Sequence, residues 1–177
     1  MNADSDASRP PQGISEEHWR PVSGWRRHAS PASLVIFGLV IGLSLAGLLG
    51  HERTWATSNA GTRLQVHAPE IIRSGEFFEM RIRVESDAPL SELAIGVEQS
   101  LWEDFTVNTL IPAATDEASE DGEFRFTFAE LPAGTPFLLK FDLQINPDIV
   151  GGNAGAITLY DGGHELASVP ISIMVLP

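Results

Sequence analysis

The stretch Phe78-Glu79-Met80-Arg81-Ile82-Arg83-Val84-Glu85 alternates apolar and charged residues without a break. Successive side chains of an extended strand point to opposite faces, so a period of two turns one face to a core and the other to water. The same beat recurs downstream. Phe124, Phe126 and Phe128 alternate with Arg125 and Thr127, and Phe137, Leu139, Phe141, Leu143 and Ile145 alternate with Leu138, Lys140, Asp142 and Gln144. Leu93, Ile95 and Val97 make a third series, and Phe105, Val107, Thr109 and Ile111 a fourth. Turn formers punctuate the runs: Ser74-Gly75, Asp87-Ala88-Pro89, Leu131-Pro132-Ala133-Gly134, and Asp161-Gly162-Gly163, the last reading as a hairpin. Pro170 cannot donate to a ladder, which marks its part of the final run as an edge or a bulge. The pattern predicts an all-β sandwich of about seven to eight strands over residues 62–177, with Ile82, Val84, Phe126, Phe128, Phe141 and Leu143 facing one another in the core.

Upstream, the period vanishes. Residues 32–50, ASLVIFGLVIGLSLAGLLG, form an uncharged, almost wholly apolar run. As a helix it reaches about 28 Å, the thickness of a bilayer's hydrocarbon core. Ser30-Pro31 reads as its N-cap and first helical position, and Trp25 and Trp55 bracket it as interfacial anchors do. Arg26, Arg27 and His28 precede it, so the excess of positive charge predicts a cytoplasmic N-terminus and a C-terminal domain across the membrane. The rival is a cleaved signal peptide, with Ala56-Thr57-Ser58 as its cleavage site; the long lead and the long apolar core favour an uncleaved signal anchor. The expected organisation is a disordered cytoplasmic tail at 1–30, a transmembrane helix spanning the membrane once at 31–50, a linker at 51–61 and the sandwich at 62–177. Gly38, Gly42, Ala46 and Gly50 recur every four residues and place small side chains on one helix face. That face predicts helix–helix contact, including a homo-oligomer through the helix, against the plainer reading of a lipid-facing surface that tolerates glycine.

The chain has 177 residues, no cysteine and a net charge of −13. Residues 1–30 are net neutral, so the whole excess falls after the apolar run. An acidic balance of this size argues against nucleic acid and against anionic lipid surfaces. Without Cys there is no disulfide framework, thiol nucleophile or zinc finger. Asp116, Glu117, Glu120, Asp121 and Glu123 crowd one segment, and oxygen-rich loops can hold calcium, but they lack the EF-hand spacing and read more simply as a solvated hairpin loop. Met80, Met174, His67 and His164 are scattered singly, which makes no copper site. No nucleophile elbow, His-Glu-x-x-His helix or glycine-rich phosphate loop is present. No cofactor is expected. The candidate ligand surface is Trp102, Asp104 and Tyr160, an aromatic pair near acids of the sort that stack and hydrogen-bond glycans.

Pro69 followed by Ser74-Gly75-Glu76-Phe77-Phe78, the closing Ile173-Met174-Val175-Leu176-Pro177, and the segments at 101–112 and 141–152 resemble bacterial single-pass membrane proteins carrying one immunoglobulin-like β-sandwich ectodomain. The resemblance implies binding or assembly and carries over no catalytic residue. The expected function is therefore a non-catalytic, membrane-anchored, extracytoplasmic protein-interaction module. It would be an accessory or scaffold subunit of an envelope complex in the bacterial cytoplasmic membrane, with a membrane or envelope protein as partner. The alternative is a surface module binding glycan or calcium.

Overall fold

The computed structural model describes residues 25–46, 50 and 52–177, with helix side chains from Ser30 onward. The expected tail lies outside the described residues as far as residue 24. Contacts divide the chain into two units, Met1–Ala46 and Gly47–Pro177.

In the first unit, helix α1 spans Trp25–Leu45. It starts before the expected Ser30-Pro31 cap, so Pro31 lies inside it and removes one backbone donor from the helix. Leu34, Ile36, Phe37, Leu39 and Ile41 are exposed on its surface. Among the described residues no helix is long and apolar enough to cross a membrane. Residues 47–49, near the end of the apolar run, lie outside the described residues.

The second unit is a β-sandwich. Its elements are β1 (Glu52–Asn59), β2 (Thr62–Pro69), β3 (Ile71–Arg73), β4 (Phe77–Ser86), β5 (Leu93–Glu98), a one-turn helix α2 (Gln99–Trp102), β6 (Phe105–Ile111), β7 (Asp116–Glu120), β8 (Glu123–Thr127), β9 (Phe137–Ile145), β10 (Gly151–Asp161) and β11 (His164–Leu176). One sheet has the order β1-β2-β4-β9-β6, the other β3-β11-β10-β5-β8-β7. Pairing is antiparallel throughout except for β3, which runs parallel to the end of β11. The chain thus leaves the first sheet after Pro69 and joins the second at Ile71.

Eleven strands stand among the described residues where seven to eight were expected. Residues 51–61, expected as a linker, hold β1, which pairs with β2 from Glu52 to Asn59. Its polar sequence hides it; Ala60 and Gly61, both at positive φ, turn the chain back in the two-residue geometry that suits hairpins. The acidic segment expected as a loop is the β7–β8 hairpin, turned by Asp121 and Gly122 at positive φ. Pro170 pairs with Ala156 on one side, while β3 reaches only Met174 to Leu176 on the other, so β11 is an edge at the proline, as expected.

The six expected core residues are all buried. Phe126 of β8 meets Phe141 of β9 across the two sheets, ring centroids 5.3 Å apart and nearly edge to face. The fourth series fails. A register shift between Val107 and Thr109 breaks the alternation of β6, and Val107 and Ile111 are 40% and 58% exposed. A bulge adds one residue to a strand and re-aims every side chain beyond it.

Phe126→Ala removes a ring that touches both sheets and will cost about 3–5 kcal/mol of unfolding free energy. Arg83 is solvated and paired only with its neighbour Glu85, so Arg83→Ala will cost less than about 0.5 kcal/mol. Denaturant unfolding of the two variants checks the register of β4 and β8; equal losses would contradict it.

Candidate functional site: an open cleft between two sheet edges

Helix α2 bridges β5 and β6 and is pinned from several sides. Ser100 Oγ donates to the Ala154 carbonyl at 3.2 Å, the Gln99 amide donates to the Gly122 carbonyl at 2.9 Å, and Glu98 Oε2 accepts from the Ala156 amide at 2.9 Å. Gly155 lets this turn lie flat on β10: a Cβ there would come 2.7 Å from the Leu101 Cβ. The result drives Trp102 into the sandwich. Its ring is 5.0 Å from Phe141, 5.4 Å from Phe126 and 6.3 Å from Phe105, and the residue is 8% exposed.

Trp102 is therefore largely buried among three phenylalanines, and what remains uncovered of it faces a cleft between the sheets, not the outer surface expected of a glycan platform. Asp104 is structural too: its Oδ2 accepts from Asn153 Nδ2 at 3.1 Å, and the same amide donates to the Leu101 carbonyl at 3.2 Å. Tyr160 lies on the outer face of the six-stranded sheet, opposite the face that holds Trp102. Its hydroxyl donates to Glu123 Oε2 at 2.8 Å, and the Arg125 guanidinium sits 4.3 Å from its ring centroid. Gly96 leaves room for this group, since a Cβ would come 2.5 Å from Glu123 Oε2. Burial, followed by the Glu123 hydrogen bond and charge, pushes the Tyr160 hydroxyl above its ordinary pKa. The three expected residues do not converge.

The other candidates also disperse. Glu123 and Glu120 are engaged with Arg125, and among the described residues no three His, Cys, Asp or Glu gather where they could hold a metal ion. Met80 is core and His67 bonds Thr54 and Glu52. Of the small-residue series, Gly38 and Gly42 lie in α1 with open space where a Cβ would stand. Ala46 follows the last helical residue, bonded to the Gly42 carbonyl. Gly50 stands beyond the helix at φ +143°, so it does not extend the helical register.

What the structure does assemble is a cleft of about 410 Å³ between β6 and the β7–β8 hairpin. β6 and β7 are the last strands of their sheets, on the same side of the sandwich. Trp102, Phe124 and Phe126 form one wall, and Val107 and Leu110 of the bulged β6 form the other. Glu117 and Ser119 also line it. They pair with Phe126 and Phe124, so they share the inward face of β7. Glu117 is exposed and, among the described residues, its side chain has no hydrogen bond or ion pair. The residues at 105–111 were legible as a strand, but the bulge that turns Val107 and Leu110 to one cleft was not; the broken spacing Val107, Leu110, Ile111 is its only trace.

No family model matches this sequence, and no curated protein matches it. Some solved structures are similar to part of it. The CaCohA2 structure from Clostridium acetobutylicum is 16% identical at a TM-score of 0.42, covering 67% of this chain and 92% of that one. A non-cellulosomal cohesin from Archaeoglobus fulgidus is 12% identical at a TM-score of 0.42, covering 71% and 91%. The chitin-binding domain of a chitinase from Pyrococcus furiosus is 16% identical at a TM-score of 0.40, covering 62% and 96%. Each score is below 0.5, so the likeness transfers no residue and no activity.

Beside the cleft's sheet, Asp161 anchors the β10–β11 turn to the loop before β5. Its Oδ1 accepts from the Glu92 amide at 3.0 Å and from the Ser91 hydroxyl and amide, each at 2.8 Å. These bonds hold its carboxyl below the ordinary Asp pKa. A depressed folded-state pKa stabilises the fold above the unfolded value, about 3.9, and that contribution disappears as pH falls through the folded value. Thermal unfolding from about pH 6 down to about pH 3 will show a shallower fall in Tm for Asp161→Asn than for wild type. Parallel curves would contradict the role given to these bonds.

Proposed function

We propose that the chain is a non-catalytic interaction module, held to a bacterial cytoplasmic membrane by its N-terminal helix and presenting an immunoglobulin-like sandwich on the extracytoplasmic side. The observation that carries the interaction role is the cleft: apolar walls left open between two sheet edges that are unpaired among the described residues, with Val107 of the bulged strand exposed in it. Apolar surface at an open edge is costly for a protein that lives alone and useful to one that docks. Supporting the anchor are the 19-residue apolar run in the sequence, the arginines that precede it, and the exposed Leu, Ile and Phe side chains of α1, which call for an apolar surround. The partner is a membrane or envelope protein, and the module serves as its accessory or scaffold subunit. Self-association through Gly38 and Gly42 is the version of this contact that lies in the bilayer.

A reporter enzyme that works only outside the cytoplasm, fused after Pro177, will be active, and cross-linking of the full chain in cells will yield discrete higher-mass species. Gly42→Ile will remove those species that form through the helix, while Leu43→Ile, about 100° round, will leave them. Cytoplasmic reporter activity, a mature N-terminus near Ser58, or a chain that cross-links to nothing would each contradict the proposal.

A further inference from the structure

We infer that the free edge of β7 receives an extended segment of a partner protein in which apolar and basic residues alternate, its apolar side chains filling the cleft. The inference rests on the interaction-module reading and names the chemistry of the partner.

Among the described residues, each sheet ends on this side with a row of backbone N–H and C=O groups that no strand takes up. The two rows are not equal. β6 is interrupted by the shift between Val107 and Thr109, whereas β7 pairs with β8 residue for residue from Asp116 to Glu120. A regular strand offers a regular free edge, and that is the template an added strand needs. A strand laid against β7 continues the six-stranded sheet. Its side chains then alternate between the inward face of β7, which carries Glu117 and Ser119, and the outward face, which carries Asp116, Ala118 and Glu120.

The inward positions fall over the cleft, where Val107, Leu110, Phe124 and Trp102 present apolar walls that the protein itself leaves uncovered. Aliphatic side chains match that surface. Charge sets the remaining positions. β7 reads Asp116-Glu117-Ala118-Ser119-Glu120, and Asp121 follows in the turn. Of these acids only Glu120 has a cation, Arg125, at 3.5 Å; among the described residues Asp116, Glu117 and Asp121 have none. Lysine or arginine at the outward positions of an adjacent strand meets Asp116 and Glu120, which share the outward face of β7, as cross-strand ion pairs. The same acids turn away a second copy of the chain, because β7 against β7 sets carboxylate against carboxylate in a protein of net charge −13. The edge therefore carries its own guard against self-pairing and, by the same charges, selects a cationic partner.

The test uses the full chain in detergent and a synthetic peptide of about nine residues alternating lysine and valine, the length matching one strand of common size. Amide hydrogen exchange and titration should show binding, with slowed exchange at β7. Asp116→Lys and Val107→Glu change exposed positions, so the fold should persist by thermal unfolding, and each should weaken the peptide by about tenfold or more. Peptides alternating glutamate with valine or lysine with serine should bind at least about tenfold more weakly. Unchanged exchange at β7, wild-type binding by both variants, or equal binding of the lysine–serine peptide would overturn the inference, as would dimerisation of the free chain through β7. A wild-type chain that cross-links in cells but binds no lysine–valine peptide would remove this docking edge while leaving the interaction module standing; absence of cross-linked species from the wild-type chain would remove both.

Discussion

The fold depends on one cluster of rings. Trp102 stands between the sheets, 5.0 Å from Phe141 on one and 5.4 Å from Phe126 on the other, and Phe105 passes the contact on to Phe78 at 5.3 Å. Edge-to-face pairs of this kind add about 0.5–1.5 kcal/mol each beyond the area they bury. A chain with no cysteine has no covalent staple, so packing must hold the two sheets in register. The cluster does so at the end of the sandwich where α2 is pinned by Ser100, Gln99 and Glu98. Without Gly155 the turn would be pushed off β10 and Trp102 would lose its seat.

The same rings that close the core also wall the cleft, which ties stability to the candidate site. Trp102, Phe124 and Phe126 are covered on the core side and partly uncovered toward β6, because the bulge carries that strand out of regular register. The carboxylates of β7 then do two things at once. They make the edge soluble, as charge on an edge strand does, and they set the sign of what can approach. Asp116 and Glu120 do this on the outward face of β7, while Glu117 keeps the rim of the cleft charged on the inward face.

Much of this was legible from residue pattern. Where apolar residues keep a strict period of two, as in β4 and β9, burial follows it. The pattern fails where the controlling contact is remote. β1 has almost no apolar face, and only its ladder to β2 makes it a strand. β6 carries a plausible alternation that one bulged residue undoes. Trp102 sits near acids in the sequence and reads as a surface residue, yet its burial depends on a glycine at 155 and a carbonyl at 122, far along the chain. Asp104 and Tyr160 look like ligand groups for the same reason, while their partners, Asn153 and Glu123, use them internally.

The central claim is that the aromatic cluster locks the sandwich while its β6–β7 side stays open. Native-state amide hydrogen exchange of the full chain measures this directly. The account predicts that amides of β4, β5, β9 and β10 exchange only through global unfolding, whereas those of β7 and the bulged half of β6 exchange through local opening at a lower free energy. Protection of β7 equal to that of β10 would contradict it.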